Sequence, residues 1–446
     1  MAYTTVLTAY AAADAKGSAE QAQEVLFEMI ENGDRYGIAV DSVAFDVCIR
    51  CWAAAARRRG NPKARFEAAE RAEALLALME EMAAEDVSAA SNGGDWDEEE
   101  DIVDEEESGS RDDPKTVKKK EKSDVNLLAP TTRTYNAVLS AWARSDIKEA
   151  APRAEALLHK MLSGVVGSPD GGADGATGSV VAPQGNKSSI AAPPPDRVSF
   201  NTVISAHARS FSPGAAERGE ELFDMMYELY HSGRMGEEIK PKADTYSTVI
   251  NAWARSRGRE GQTANARRLL DTMIEKLRGG EEDMAPNMIS YTSVLNAAVN
   301  EGIKGDDDDD KPGDDADQPF DDDSAYSIAV RTYQEMKSDA HDCGVQPDHI
   351  TYATMIKVVG GNTAKESTER RGMLEAVFND ACDSGRVSSH VIKELKLAAP
   401  SVDLLERLLR SRELATSEKS IFHELPKRWT RNVNVDRRVQ ANASKR

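Results

Sequence analysis

Apolar residues along this chain fall into two alternating stripes, each with helical spacing. Seven segments open with an aromatic residue and carry apolar side chains three, four and usually seven positions later: Tyr3/Val6/Leu7/Tyr10, Phe45/Cys48/Ile49/Trp52, Tyr135/Val138/Leu139/Trp142, Phe200/Val203/Ile204/His207, Tyr246/Val249/Ile250/Trp253, Tyr291/Val294/Leu295/Ala298 and Tyr352/Met355/Ile356/Val359. Positions so spaced share one face of an α-helix. Each segment is followed by a second stripe, with a small residue, an apolar pair and a Met seven positions on. It reads Ala22/Val25/Leu26/Met29, Ala72/Leu75/Leu76/Met79, Ala154/Leu157/Leu158/Met161, Gly219/Leu222/Phe223/Met226, Ala266/Leu269/Leu270/Met273 and Ala329/Thr332/Tyr333/Met336, and then drifts to Leu374/Val377/Phe378/Ala381. An isolated hairpin cannot bury both stripes, so neighbouring hairpins must stack, and the small residue lets helices approach closely. The pattern predicts an all-α chain, an α-solenoid of about seven helix-turn-helix repeats. Pro130, Pro195, Pro241, Pro286 and Pro347 each stand shortly before the next aromatic, where a residue without an N–H stops the preceding hairpin.

Successive aromatics are 42 to 90 residues apart, longer than a two-helix unit requires. Inserts of biased composition explain the excess. Repeats 1 and 2 are assigned to residues 1–84, an acidic then basic insert to 85–126, repeat 3 to 127–163 and a Gly/Ser/Pro/Ala-rich linker to 164–195. Repeats 4 and 5 and the first helix of repeat 6 fall in 196–301, a poly-Asp insert in 302–323, the remainder of repeats 6 and 7 in 324–385, and a helical cap with a basic tail in 386–446. The inserts hold too little apolar surface to offset the entropy of ordering and are expected to be disordered.

Charge sharpens this division. Residues 95–113 carry 12 acidic residues against one base, and residues 301–323 carry 12 against two, so these runs account for the whole formal charge of -21. The rest is neutral overall, and residues 406–446 hold 11 bases against five acids. The global pI of 4.9 therefore says little about the repeat surface. With 30% charged residues and a mean hydropathy of -0.55, no apolar run approaches the roughly 20 residues of a spanning helix, and no membrane association is expected. Four cysteines in so long a chain form no disulfide framework, which suits a reducing compartment. The first residues already belong to a repeat, so the N-terminus is expected to be incomplete and a targeting segment not visible.

The openings Thr134-Tyr135-Asn136-Ala137-Val138-Leu139, Ser199-Phe200-Asn201-Thr202-Val203-Ile204 and Thr245-Tyr246-Ser247-Thr248-Val249-Ile250 resemble those of pentatricopeptide repeats. The second stripe ending in Met, followed by Val345-Gln346-Pro347-Asp348 or Ala285-Pro286-Asn287, resembles their close. The resemblance covers most of residues 1–385 outside the inserts. It implies a right-handed superhelix that reads single-stranded RNA at about one base per repeat, with two or three side chains per base. It places one reader after each aromatic, here Thr4, Asp46, Asn136, Asn201, Ser247, Thr292 and the non-bonding Ala353, and the other at the last residue of each unit, here Asp41, Thr131, Asp196, Lys242, Asn287 and Asp348. Residues sandwiching the bases would be Val43, Arg133, Val198, Asp244, Ile289 and Ile350. The family's pairing rules imply a site of the form 5′ G-N-U-Y-A-G-N. By the same resemblance the chain is an adaptor in mitochondrial or chloroplast RNA stability, processing or translation. It would be a monomer without cofactor, working beside other proteins of an organellar RNA-processing or translation complex. A protein-binding scaffold on the same helical platform is the alternative.

Other chemistry-bearing motifs read more simply as packing. Cys48-Ile49-Arg50-Cys51 spells CxxC, but Cys48 fills the stripe position of Val138, Val203 and Val249, and no second Cys/His pair stands near to complete a zinc site. His207 occupies the place of Trp142 and Trp253. No nucleophile–base pair, metal cluster or cofactor loop stands out, and the chain is not expected to be an enzyme. The basic stretch Leu425–Val433, with its one aromatic Trp429, reads equally as a phosphate-contacting, base-stacking segment and as a cap on the last helices.

Overall fold

The computed structural model describes residues 2–13, 15, 17–36, 40–58, 61–92, 128–145, 147–166, 191–256, 259–302, 323–416 and 424–433. Most of the acidic, linker and poly-Asp segments expected to be inserts lies outside the described residues. Among the described residues the structure is all-α, with no strand. No described helix is long and apolar enough to cross a membrane. The chain divides into two units, one comprising Met1–Ser145 with Ala154–Pro195, the other Asp146–Arg153 with Asp196–Arg446.

The first unit holds α1 (Ala2–Ala13), α2 (Ser18–Tyr36), α3 (Ser42–Arg57), α4 (Pro62–Asn92), α5 (Thr132–Arg144) and, from Ala154 onward, α6 (Ala150–Val166). Helices α1 and α2 form one packed hairpin and α3 and α4 another; α2 also packs on α3, and α4 on α5, while α1, α3 and α5 form a row of their own. The two predicted stripes are the surfaces that meet. Phe45, Cys48, Ile49, Trp52, Tyr135, Val138, Leu139 and Trp142 are buried from the first helices, as are Ala72, Leu75, Leu76 and Met79 from the second. Cys48 lies in this core, and burial, with Cys51 beside it, pushes its thiol up to about 12. Helix α4 continues to Asn92, past residue 85 where the insert was expected to begin. Its end, residues 83–90, holds four alanines and Glu85, which favour the helix, with no Gly or Pro to stop it.

The second unit continues with α7 (Arg197–Ser210), α8 (Ala215–His231), α9 (Ala243–Arg255), α10 (Gln262–Arg278), α11 (Met288–Glu301), α12 (Ala325–Ser338), α13 (His349–Asn362), α14 (Thr368–Asp383), α15 (Ser389–Ala398), α16 (Val402–Leu409), α17 (Arg412–Thr416) and α18 (Lys427–Thr430). Consecutive helices pair as α7/α8, α9/α10, α11/α12 and α13/α14. The first helices α7, α9, α11, α13 and α15 each pack on the next, and α8, α10 and α12 each pack on the first helix of the following hairpin. Both stripes of all four hairpins are buried. Gly219 shows why a small residue opens the second stripe: an added Cβ would stand 3.6 Å from Ala252 Cβ and only 3.3 Å from Ile204 Cγ2, closer than ordinary contact, so even a methyl group would make Ile204 shift.

The segment 424–433 closes this unit against α14. Val387 N–H donates to Trp429 O at 2.8 Å, and Asn432 donates from its backbone to Gly385 O at 2.9 Å and from Nδ2 to Ser384 O at 2.7 Å. Trp429 is buried, edge-on to Phe378 with ring centroids 5.7 Å apart. The tail is a cap, and its indole is not available to stack a base, which corrects that part of the sequence expectation.

Candidate nucleic-acid interface

The residues that the resemblance names as second readers begin the first helices. Asp41, Thr131, Asp196, Lys242, Asn287 and Asp348 are the N-cap residues of α3, α5, α7, α9, α11 and α13. An N-cap side chain satisfies a backbone N–H that the helix itself leaves unpaired. Five of the six do so, accepting from Ala44, Thr134, Ser199, Ser290 and Thr351 N–H at 2.9, 3.3, 2.8, 3.1 and 2.8 Å. In four of these five helices the N3 hydroxyl returns the bond, accepting from the cap residue's own N–H, as from Asp196 to Ser199 Oγ at 3.1 Å and from Asn287 to Ser290 Oγ at 2.9 Å. Lys242 cannot accept; its ammonium lies 3.7 Å from Asp283 Oδ2 instead. Thr/Asp/Asn followed three residues later by Thr or Ser spells this capping box in four repeats. Each cap bond engages one side-chain oxygen. Asn287 thus accepts through Oδ1 and leaves its amide NH2 as a donor.

Three of the first readers, one turn further on, meet the next hairpin. Asp46 Oδ1 accepts from Thr134 Oγ1 at 2.6 Å, Asn201 Nδ2 donates to Asp244 Oδ2 at 3.3 Å, and Ser247 Oγ lies 3.2 Å from Ser290 Oγ. In each pair the partner belongs to the first turn of the following first helix. Thr4, Asn136 and Thr292 are half-buried. Ser247 is buried, and its hydroxyl donates to Ala243 O at 2.7 Å, so it is sealed into the hairpin junction. Asn201 Oδ1 and Thr292 Oγ1 are buried without a hydrogen-bond partner among the described residues, a condition that costs about 1–3 kcal/mol for each such group.

Of the sandwich positions, second in each first helix, five carry exposed side chains and the sixth, Ile350, is half-buried. Val43, Val198 and Ile289 are 49%, 54% and 62% exposed, three of the few large apolar side chains left in water. Arg133 and Asp244 are exposed too, and Asp244 Oδ2 meets Arg197 Nε at 3.3 Å.

Three hairpin junctions share a contact that sequence reading missed. The residue after the small residue of one second helix accepts a hydrogen bond from the indole of the next first helix: Gln23 Oε1 from Trp52 at 2.8 Å, Glu73 Oε2 from Trp142 at 3.1 Å and Glu220 Oε2 from Trp253 at 2.7 Å. Where Ala298 replaces the Trp, Arg267 replaces the acceptor; where Val359 does, Val330 does. The signal was present as this co-occurrence, a polar acceptor wherever an indole follows.

No protein-family model matches the chain, and no curated protein matches it.

Proposed function

We propose that the chain is a sequence-selective adaptor for single-stranded RNA, built as a right-handed pentatricopeptide-like superhelix and acting in organellar RNA metabolism. The observation that carries this reading is the exposure of Val43, Val198 and Ile289 at one register position of three first helices. An aliphatic side chain held in water at the start of a helix gains nothing for the fold, whereas a base laid against it buries apolar surface on one face. Among the neighbouring readers the Asn287 amide NH2 has donor capacity to spare. The N-cap bonds fit the same role, because a reader already fixed to the backbone loses little freedom when a base arrives. Ser247 is the exception: its engaged hydroxyl leaves recognition of the fifth base to Asn287.

A protein scaffold is the second reading, favoured by Asp244, an exposed carboxylate at a sandwich position where a phosphate backbone would be repelled. Fluorescence anisotropy of the full chain with short single-stranded RNA separates the two. RNA binding should weaken steeply with added salt. The double variant Val198→Ser/Ile289→Ser, altered only at exposed positions, should lose about tenfold or more in affinity at the roughly 1–3 kcal/mol that stacking gives per base, with the thermal midpoint unmoved. Affinity unchanged in this variant, or no RNA binding at low salt, removes the RNA reading.

A further inference from the structure

A cavity of about 480 Å³ opens where the tail folds back on the last helices. Its walls come from the second helices α14 and α16 and from the tail, with none from the first helices that carry the reader positions. The lining is dominated by four arginines, Arg407, Arg410, Arg428 and Arg431, against two carboxylates, Glu375 and Asp383. Two of the arginines are accounted for. Arg407 Nη2 pairs with Glu375 Oε2 at 2.9 Å, and Arg431 Nη2 donates to Asp383 O, the carbonyl end of α14, at 3.2 Å. The other two have no carboxylate partner among the described residues: Arg410 stands over the Trp429 ring, its guanidinium carbon 5.9 Å from the centroid, and Arg428, on α18, is exposed.

The cavity is assembled by long-range contacts. Arg410 takes a left-handed backbone conformation (φ 57°) at the end of α16. Gly385 takes another (φ 70°), and an added Cβ there would stand 2.6 Å from Arg431 Cγ and 3.1 Å from Arg428 O. Glycine at 385 therefore lets the basic segment seat against α14. Burial pushes the Cys382 thiol in this wall up to about 12, so it is a neutral neighbour and not a competing anion.

Guanidinium groups lining a small cavity match the oxygens of a phosphate by paired, charge-assisted hydrogen bonds. A single phosphate uses little of the volume, and the one aromatic ring present is covered by Phe378 and Arg410 and cannot stack a base. We infer that the cavity between α14, α16 and the tail is a binding site for a small molecule bearing two or more linked phosphates, held by Arg410 and Arg428 and independent of the proposed RNA surface.

Isothermal titration of the full chain with inorganic pyrophosphate and, separately, with adenosine diphosphate tests this, each repeated in Arg410→Gln/Arg428→Gln. One-to-one binding of either, weakened at least tenfold in the variant with an unchanged thermal midpoint, supports the site. Pyrophosphate alone binding identifies the free anion as the ligand; diphosphate binding as tightly as pyrophosphate identifies a nucleotide tail. Absence of binding by both, equal binding in variant and parent, or equally tight binding of inorganic sulfate overturns it. So does a variant that loses RNA affinity while neither phosphate compound binds the parent, because the arginines then serve the RNA backbone.

Discussion

Two adjacent junctions in the second unit do the same job with opposite chemistry. Between the hairpins α7/α8 and α9/α10, Glu220 is an acceptor hub, taking the Trp253 indole on one oxygen and the Arg268 guanidinium on the other. One hairpin later the Trp position is Ala298 and the hub is cationic. Arg267, 6% exposed, donates to Thr332 Oγ1 at 2.9 Å, Glu335 Oε1 at 3.0 Å and Asp271 Oδ1 at 2.9 Å, tying α10 to α12. Burial alone would lower its pKa, but the hydrogen bonds to Glu335 and Asp271 outweigh it and hold the group above its ordinary value. The first junction reaches from a second helix to the next first helix; the second reaches from second helix to second helix. A repeat array thus tolerates a change of clamp provided both partners change together, since each buried polar group still finds its bond.

The largest expected effect breaks the cationic clamp. Arg267→Ala leaves Thr332, Glu335 and Asp271 without their shared donor and should cost about 3 kcal/mol or more, in the range for removing one member of a buried ionic network; chemical denaturation measures it. Trp253→Phe is milder, because Glu220 keeps Arg268 while losing one neutral donor, so a loss of about 1 kcal/mol is expected. A value as large as that for Arg267 would show the indole, and not the ion pair, to be the anchor. The smallest effect is a gain. Helix α9 alone among the six capped first helices starts with a lysine, and Lys242→Asp should stabilise it by about 0.5–1 kcal/mol, visible as a higher thermal midpoint, whereas Asp196→Ala should lower the midpoint by a similar amount.

The two stripes were legible in the sequence because helical spacing states which residues face inward, and the buried side chains from Phe45 to Phe378 follow it. The cap role of Asp41, Asp196 and Asp348 was harder to separate from the proposed reader role, since both call for a short polar side chain at the same place. The clamps were hidden for another reason: Gln23, Glu73 and Glu220 look like ordinary solvated residues of an amphipathic helix until their indole partners, 29, 69 and 33 positions away, are brought to them. The tail's folding back is likewise a long-range event, set by Gly385, Trp429 and Asn432 across some 45 residues, and local pattern carries no trace of it.

Selection of bound sequences from a pool of random seven-nucleotide RNAs by the full chain tests the central proposal most directly. Enrichment of a central U-Y-A-G, with the A preference abolished by Asn287→Ala and retained in Ser247→Ala, is the result expected. Recovery of the pool without enrichment, or an A preference that follows Ser247 and ignores Asn287, would contradict it.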